Sequence, residues 1–258
     1  MRLLKRIIFC LYYQEGFFYL SRNFRLQKVG DVYWLIQNFG FGKATNYIDE
    51  IVILLVKKDP TEKDFNSFFK DICELRKNLF IPITLGGGIR DIKIAKNFFN
   101  NGADKILVNT LAFKNQEVIE KIASFYGSQA ICIMIDHKKT NNQVNLYSYC
   151  GTKLEEISLQ EHLKSVNQLS CGEIILNSID NDGNAAGIDL TILNNIGTTI
   201  NKPILIMGGA GKPEHLSSAL SSKKISGVIT ANLFNFLGEG LKLARNFALK
   251  KNIRLAEF

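Results

Sequence analysis

Short apolar runs alternate with longer amphipathic stretches from one end of this chain to the other, and no other feature limits its fold so tightly. Eight runs read as strands: Arg6–Leu11, Glu50–Leu55, Pro82–Leu85, Lys105–Val108, Ala130–Asp136, Glu173–Asn177, Pro203–Met207 and Gly227–Thr230. Each is short and rich in Ile, Val or Leu, the pattern of strands buried on both faces. The segments between them have helical spacing. Thr61–Asn78 places Phe65, Phe68, Phe69, Ile72 and Leu75 on one face, and Asn115–Phe125 does the same with Val118, Ile119 and Ile122. Eight strand–helix pairs predict an α/β protein, a single (β/α)8 TIM barrel spanning residues 1–258. The competing reading, a doubly wound open sheet, lacks a G-x-G-x-x-G after the first strand.

The chain also repeats itself. ITLGGGIRDIKIAKNFFNNGADKILVNT pairs with LIMGGAGKPEHLSSALSSKKISGVITAN, so that Gly86 lies 122 positions before Gly208 and Asn109 lies 122 before Ala231. DEIVIL at Asp49 pairs with GEIILN at Gly172, 123 positions on. A nearly constant offset predicts two half-barrels of four units, roughly 1–127 and 128–258. Two segments depart from the plain pattern: Gln14–Asp31 after the first strand, and a predicted hairpin over Lys138–Tyr149.

Composition narrows the function. With 46% hydrophobic and 22% charged residues the chain buries a sizeable core, and its net charge of +8 favours anionic partners or a lysine-rich solvated surface. No basic run is interleaved with aromatics, so no nucleic-acid groove is predicted. The five cysteines are odd in number and widely spaced, with no C-x-x-C pair. They predict neither a disulfide framework nor a metal site, and a reducing cytoplasm is the expected compartment. The first twenty residues resemble a signal peptide only in having a basic start before an apolar run. Glu15 interrupts that run, no cleavage site follows, and nothing elsewhere is long enough to cross a membrane.

In barrels of this kind chemistry sits at the C-terminal ends of the strands. Two sets of groups there suit phosphate: Gly86, Gly87 and Gly88 with Asn109 and Thr110 in the first half, and Gly208, Gly209 and Gly211 with Ala231 and Asn232 in the second. Glycines let backbone N–H groups approach an anion, and a helix N-terminus behind each loop adds positive potential. Turns need glycine too, but the duplication favours a ligand carrying a phosphate at each end. Asp136 closes the run ICIMID, where a carboxylate can serve as general acid or base or merely cap a loop. Asn177, Ser178, Asp180 and Asp182 offer polar contacts to substrate, or an Asx-rich turn. At the opposite end Arg6, Glu50, Lys105 and Glu173 each start a strand. By pattern alone two cations and two anions make a structural ion-pair plug.

Together these residues resemble the cyclase subunit of imidazole glycerol phosphate synthase over nearly the whole chain. KRIIFCL, DEIVIL, PITLGGGIR, GADKILVNT, GSQAICIMID, GEIILNSIDNDG, GGAGKPEHL and LFNF follow family order and spacing. The resemblance implies a half-barrel-repeat protein that pairs with a glutaminase subunit docked at the barrel bottom, ammonia passing through the barrel to a bis-phosphorylated ribulosyl substrate. No cofactor is implied. It turns Arg6, Glu50, Lys105 and Glu173 from a plug into an ammonia gate and makes Asp104 a glutaminase contact. The family's acid–base pair falls on Asp136 and Tyr12, so the first aspartate is a tyrosine here. A phenol, with an ordinary pKa of about 10, is a poor acid–base group at neutral pH. A family lysine aligns near Leu20 and a strand-2 aspartate with Leu55, leaving Arg22 or Lys28 to supply positive charge. The pattern, RNFRLQKVGD included, looks like a divergent branch that supplies ammonia for acetamidino modification of surface sugars through a separate ATP-dependent amidotransferase-like protein. A working histidine-biosynthesis cyclase and a non-catalytic scaffold that activates a glutaminase are the alternatives.

Overall fold

The computed structural model describes residues 4–39, 47–141, 143–196, 200–232 and 239–256. The LFNF motif at Leu233–Phe236 lies outside them. Eight parallel strands close into a barrel: β1 (Arg6–Gln14), β4 (Glu50–Leu55), β5 (Ile83–Gly86), β6 (Lys105–Val108), β7 (Ile131–Thr140), β10 (Glu173–Ser178), β11 (Ile204–Met207) and β12 (Gly227–Thr230). β10 pairs with β7 and β12 with β1, which leaves no edge. The (β/α)8 expectation holds, and the open sheet does not.

Side-chain alternation divides the molecule into two apolar layers. Ile7, Phe9, Leu11 and Tyr13 of β1 pack outward beneath the helices, while Ile8, Cys10 and Tyr12 point into the barrel. In β4, Ile51, Ile53 and Leu55 face outward and Val52 and Leu54 inward. The helix Glu62–Arg76 starts where Thr61 and Asp64 form a reciprocal capping box, and it buries the five predicted apolar residues against the outer layer. The helix Gln116–Tyr126 likewise seats Ile119 and Ile122. Among the described residues no helix is long and apolar enough to cross a membrane. Bottom turns recur at the repeat spacing: Asp49 N donates to Ile7 O and Gly172 N to Ile131 O, and Asp104 N donates to Ile83 O and Ser226 N to Ile204 O.

Two strands outrun their predicted ends. β1 continues past Leu11 and is met by the antiparallel hairpin β2 (Phe17–Arg22) and β3 (Arg25–Gly30), Tyr12 pairing with Tyr19. β7 runs through Asp136 to Thr140 and turns back as β8 (Gln143–Ser148), which β9 (Lys153–Glu155) extends; Asp136 pairs with Tyr147. Asp136 therefore does not end its strand, because an antiparallel partner prolongs the ladder beyond the barrel rim.

Candidate functional site

One period-2 face links both ends of the barrel. Arg6, Glu50, Lys105 and Glu173 occupy its lowest inward layer. Above them lie apolar residues such as Ile8, Val52, Leu107, Met134 and Ile175. At the top the same face presents Tyr12, Asn109, Asp136 and Asn177.

The lowest layer is a closed ring. Arg6 reaches Glu50 Oε2 at 3.2 Å and Glu173 Oε1 at 2.5 Å, and Lys105 reaches the same two carboxylates at 2.8 and 3.2 Å. The Thr84 hydroxyl donates to Glu50 and the Cys132 thiol to Glu173. Burial alone would lower the Lys105 pKa, but Glu50 and Glu173 outweigh it and the ammonium is held above its ordinary value. Burial alone would raise Glu173, and Arg6 and Lys105 reverse it. Each cation bridges both anions, so the ring is satisfied internally. Asp104, exposed beside the ring, accepts from Ile83 N at 2.8 Å. Phe80 and Phe125, preceding β5 and β7 at this end, are 91% and 74% exposed, and Leu4 is exposed before β1.

At the top a cavity of about 450 Å³ opens between the hairpin and the strand ends. It brings together Tyr12, Gly87, Gly88, Asn109, Thr110, Asp136 and Asn177. Lys58, Arg90 and Lys114 also line it, with Tyr149 lying 5.8 and 6.0 Å from the two lysines. Ser21, Phe24 and Leu26 of the hairpin complete the wall. At the floor, Asn177 Nδ2 donates to Asp136 Oδ1 at 2.8 Å and Asn109 Nδ2 to Asp136 Oδ2 at 3.1 Å. Burial pushes the Asp136 carboxyl up to about 7, the Asn177 bond opposes this, and the charge of Asp182 adds to it. Tyr12 is 6% exposed, and its hydroxyl lies beside the Asp182 carboxyl without completing a well-aligned hydrogen bond among the described residues. Its pKa is raised, first by burial and then by Cys10, Asp182 and Asp136, which keeps the phenol neutral.

The predicted phosphate groups divide. Gly87, Gly88, Asn109 and Thr110 line the cavity; among the described residues Gly208, Gly209, Gly211, Ala231 and Asn232 do not. Gly86 is buried at the end of β5. The glycines are needed in both halves for the backbone itself: a Cβ would lie 2.1 Å from Leu55 O at Gly87 (φ +110) and 2.0 Å from Gly187 O at Gly209 (φ +92). Gly211 N is taken by His215 Nδ1 at 3.2 Å and Asn232 N by Thr230 Oγ1 at 3.2 Å.

The substrate-loop residues separate as well. Asn177 faces the floor, and Ser178, next along the strand, is also buried. Asp180 lies on the outer side of the hairpin, accepting from Lys139 N at 2.7 Å. Asp182 is buried and serves as a clamp, accepting from Ser21 Oγ at 2.5 Å and Phe24 N at 3.0 Å. Neither Arg22 nor Lys28 brings positive charge to the floor. Arg22 lines an outer depression with Arg25 and Lys138, and Lys28 sits over the Phe17 ring. Leu20 lines the outer depression too, and Leu55 packs in the outer apolar layer. Sequence reasoning missed Ser21 and Phe24 as the clamp's donors and Lys58 and Lys114 at the rim. Strand alternation through YLSRNF would have marked Ser21. Among the described residues no group of three or more His, Cys, Asp or Glu could hold a metal ion.

The family model described as histidine biosynthesis protein matches residues 40–239. Over 244 residues, 95% of this chain and 90% of the relative, the chain is 42% identical to a protein of Parasynechococcus marenigrum provisionally described as imidazole glycerol phosphate synthase subunit hisF2. It is 32% identical to the imidazole glycerol phosphate synthase subunit HisF of Chlorobium phaeobacteroides, over 98% of this chain and 99% of the relative. The corresponding subunit of Natranaerobius thermophilus is 33% identical over the same shares.

Proposed function

Because the chain belongs to the histidine biosynthesis family, among the cyclase-type subunits of imidazole glycerol phosphate synthase, we propose that it takes ammonia from a glutaminase docked at the barrel bottom and passes it to the opposite face. There it supplies the nitrogen for acetamidino modification of a nucleotide sugar or surface glycan, with an ATP-dependent amidotransferase-like protein as the activating partner. Neither nucleic acid nor membrane takes part.

One contrast carries this reading. The four-membered ring at the bottom is complete, with every cation bridging both carboxylates, while the top presents a buried neutral phenol where an acid–base pair needs its first carboxylate. Exposed Leu4, Phe80 and Phe125 offer an apolar docking face around that ring, with Asp104 beside it. Gly87, Gly88, Asn109 and Thr110, backed by Lys58, Arg90 and Lys114, give the cavity one anion-binding wall suited to a sugar phosphate. Two half-barrels, 1–127 and 128–258, remain our reading of the repeat.

A second reading has its own observation. Asp136, poised at about 7, is well placed for general acid–base work, as a histidine-biosynthesis cyclase requires. Ammonia-dependent turnover of the ribulosyl substrate by the purified protein separates the two. No turnover is expected for the wild type. Turnover at the rate of an authentic cyclase assayed in parallel would overturn the ammonia-delivery reading.

A further inference from the structure

We propose that the floor of the top cavity is a binding site for ammonium, gripped by the Tyr12 hydroxyl, the side-chain carbonyls of Asn109 and Asn177, and the Asp136 carboxylate. The proposal rests on the ammonia-delivery reading only for the source of the nitrogen.

Hydrogen bonding at the floor is left incomplete on the acceptor side. Both asparagines turn their amide N–H groups to Asp136, one to each carboxylate oxygen. That choice fixes both amide planes and leaves Asn109 Oδ1 and Asn177 Oδ1 without a partner among the described residues, while the Tyr12 hydroxyl, beside Asp182, keeps accepting capacity on its oxygen. Asn177 is 3% and Tyr12 6% exposed, so each is a buried polar group whose lost hydration is costly. Asp136 oxygens keep accepting capacity beyond one amide each. The floor thus offers oxygen acceptors from four side chains at once.

Charge points the same way. Asp136 and Asp182 are both buried carboxyl groups with pKa values raised chiefly by burial, and among the described residues no Lys or Arg is among the groups that shift either one. Asp182 approaches the phenol closely enough to perturb it. A buried carboxyl beside unpartnered oxygens, with a second carboxyl behind it and no Lys or Arg of the described residues among the groups that shift either, describes a site for a small cation rich in N–H donors. Ammonium has four such donors. Ammonia arriving through the barrel takes the proton of the Asp136 carboxyl, giving ammonium and carboxylate; the lone pair of nitrogen forms the new N–H bond and the O–H bond breaks. The rim, with Lys58, Arg90 and Lys114, has the opposite polarity and would not hold this cation.

The test uses the full chain without a glutaminase, at constant ionic strength in sodium chloride. ¹⁵N-ammonium is titrated and followed by its line broadening and by the carboxyl ¹³C shift of Asp136, with potassium as the comparison ion. Saturable ammonium binding is expected, with potassium at least about tenfold weaker because it has no N–H to direct. Tyr12→Phe keeps the ring, hence the packing, and should weaken ammonium about tenfold, the scale of one hydrogen bond to a charged group. Asp136→Asn should abolish binding. No saturable binding by the wild type, equal binding of potassium, or an unaltered Tyr12→Phe would each overturn the site. If ammonium fails to bind while the glutaminase complex still delivers ammonia, this proposal falls and the delivery reading stands. Binding without delivery keeps the site and removes the delivery reading.

Discussion

Lys105→Met tests whether the bottom ring acts as one unit. The wild-type ammonium touches Glu50 at 2.8 Å and Glu173 at 3.2 Å, and methionine of similar length fills its space without charge. Breaking a fully buried ion pair costs about 3–5 kcal/mol, and an exposed one about 0–1. The ring lies between: its side chains are 4% to 22% exposed, and both carboxylates keep Arg6. A loss of about 2 kcal/mol follows from that intermediate burial. For a chain of this size that is a fall in Tm of about 4–8 °C. The pH dependence checks the cause. Glu173 has a lowered folded pKa, so its contribution is present above its unfolded value of about 4.3 and is lost as pH falls through the folded one. Lys105 has a raised folded pKa, so its contribution is full below about 10.4 and is lost as pH rises through the folded one. The deficit of the variant should therefore be widest between about pH 5 and 10 and narrow toward either extreme. Thermal unfolding of both proteins across that range decides. A Tm difference under about 1 °C at neutral pH, or one that does not change with pH, would refute the ring as a coupled electrostatic element.

Further outcomes follow from the backbone and the clamp. Gly16→Ala, at φ +83 with nothing within 4 Å, should cost about 1 kcal/mol of backbone strain, whereas Gly87→Ala should cost about 3 kcal/mol or more because its Cβ meets the Leu55 carbonyl; urea unfolding of the pair compares them directly. Asp182→Ala removes the acceptor of Ser21 Oγ and Phe24 N, so trypsin cleavage at Arg22 or Arg25 should accelerate at least about tenfold while Tm changes less than cleavage does.

Much of this molecule is legible in its sequence for one physical reason. Strands buried on both faces must be apolar along their whole length, so six of the eight predicted runs lie within one residue of the observed strands at both ends, and only β1 and β7 run further beyond their expected ends. Both of those carry on because an antiparallel partner meets them above the rim. Charged residues at the starts of such strands have nowhere to go but inward, and the ring is visible for that reason. What the pattern does not carry is direction beyond the rim. The hairpin β2–β3 changes register between Phe18 and Tyr19, and that shift decides which of its side chains face the cavity. Ser21 faces in, and Leu20 and Arg22 face out, against the expectation that Arg22 supplies charge to the floor. Asp180 and Asp182 read alike in an Asx-rich loop, yet one binds Lys139 N outside and the other anchors the hairpin. Tertiary partners settle such residues, and single-sequence spacing does not contain them.

We propose that the tyrosine at position 12 and the lack of a lysine near Leu20, both read from the family resemblance, are electrostatically coupled. The floor holds Asp136, and Asp182 behind the hairpin is close enough to perturb it, with no Lys or Arg of the described residues among the groups that shift either one. A third carboxylate at position 12 would stand in the same buried space, and like charges there favour protonation. Tyr12→Asp alone should therefore raise Asp136 above its wild-type value of about 7 by about one unit or more, leaving a protonated group unable to act as a base at neutral pH. A compensating cation would have to enter from the inward face of the hairpin. Ser21 occupies that face, whereas a lysine at Leu20 would project into the outer depression. Carboxyl ¹³C titration of Tyr12→Asp, alone and combined with Ser21→Lys, measures this: the single variant should titrate higher than wild type and the double variant lower than the single. An Asp136 that titrates unchanged in Tyr12→Asp would mean that the floor is solvated well enough to screen its charges, and neither the raised carboxyls nor the ammonium site would then follow from burial.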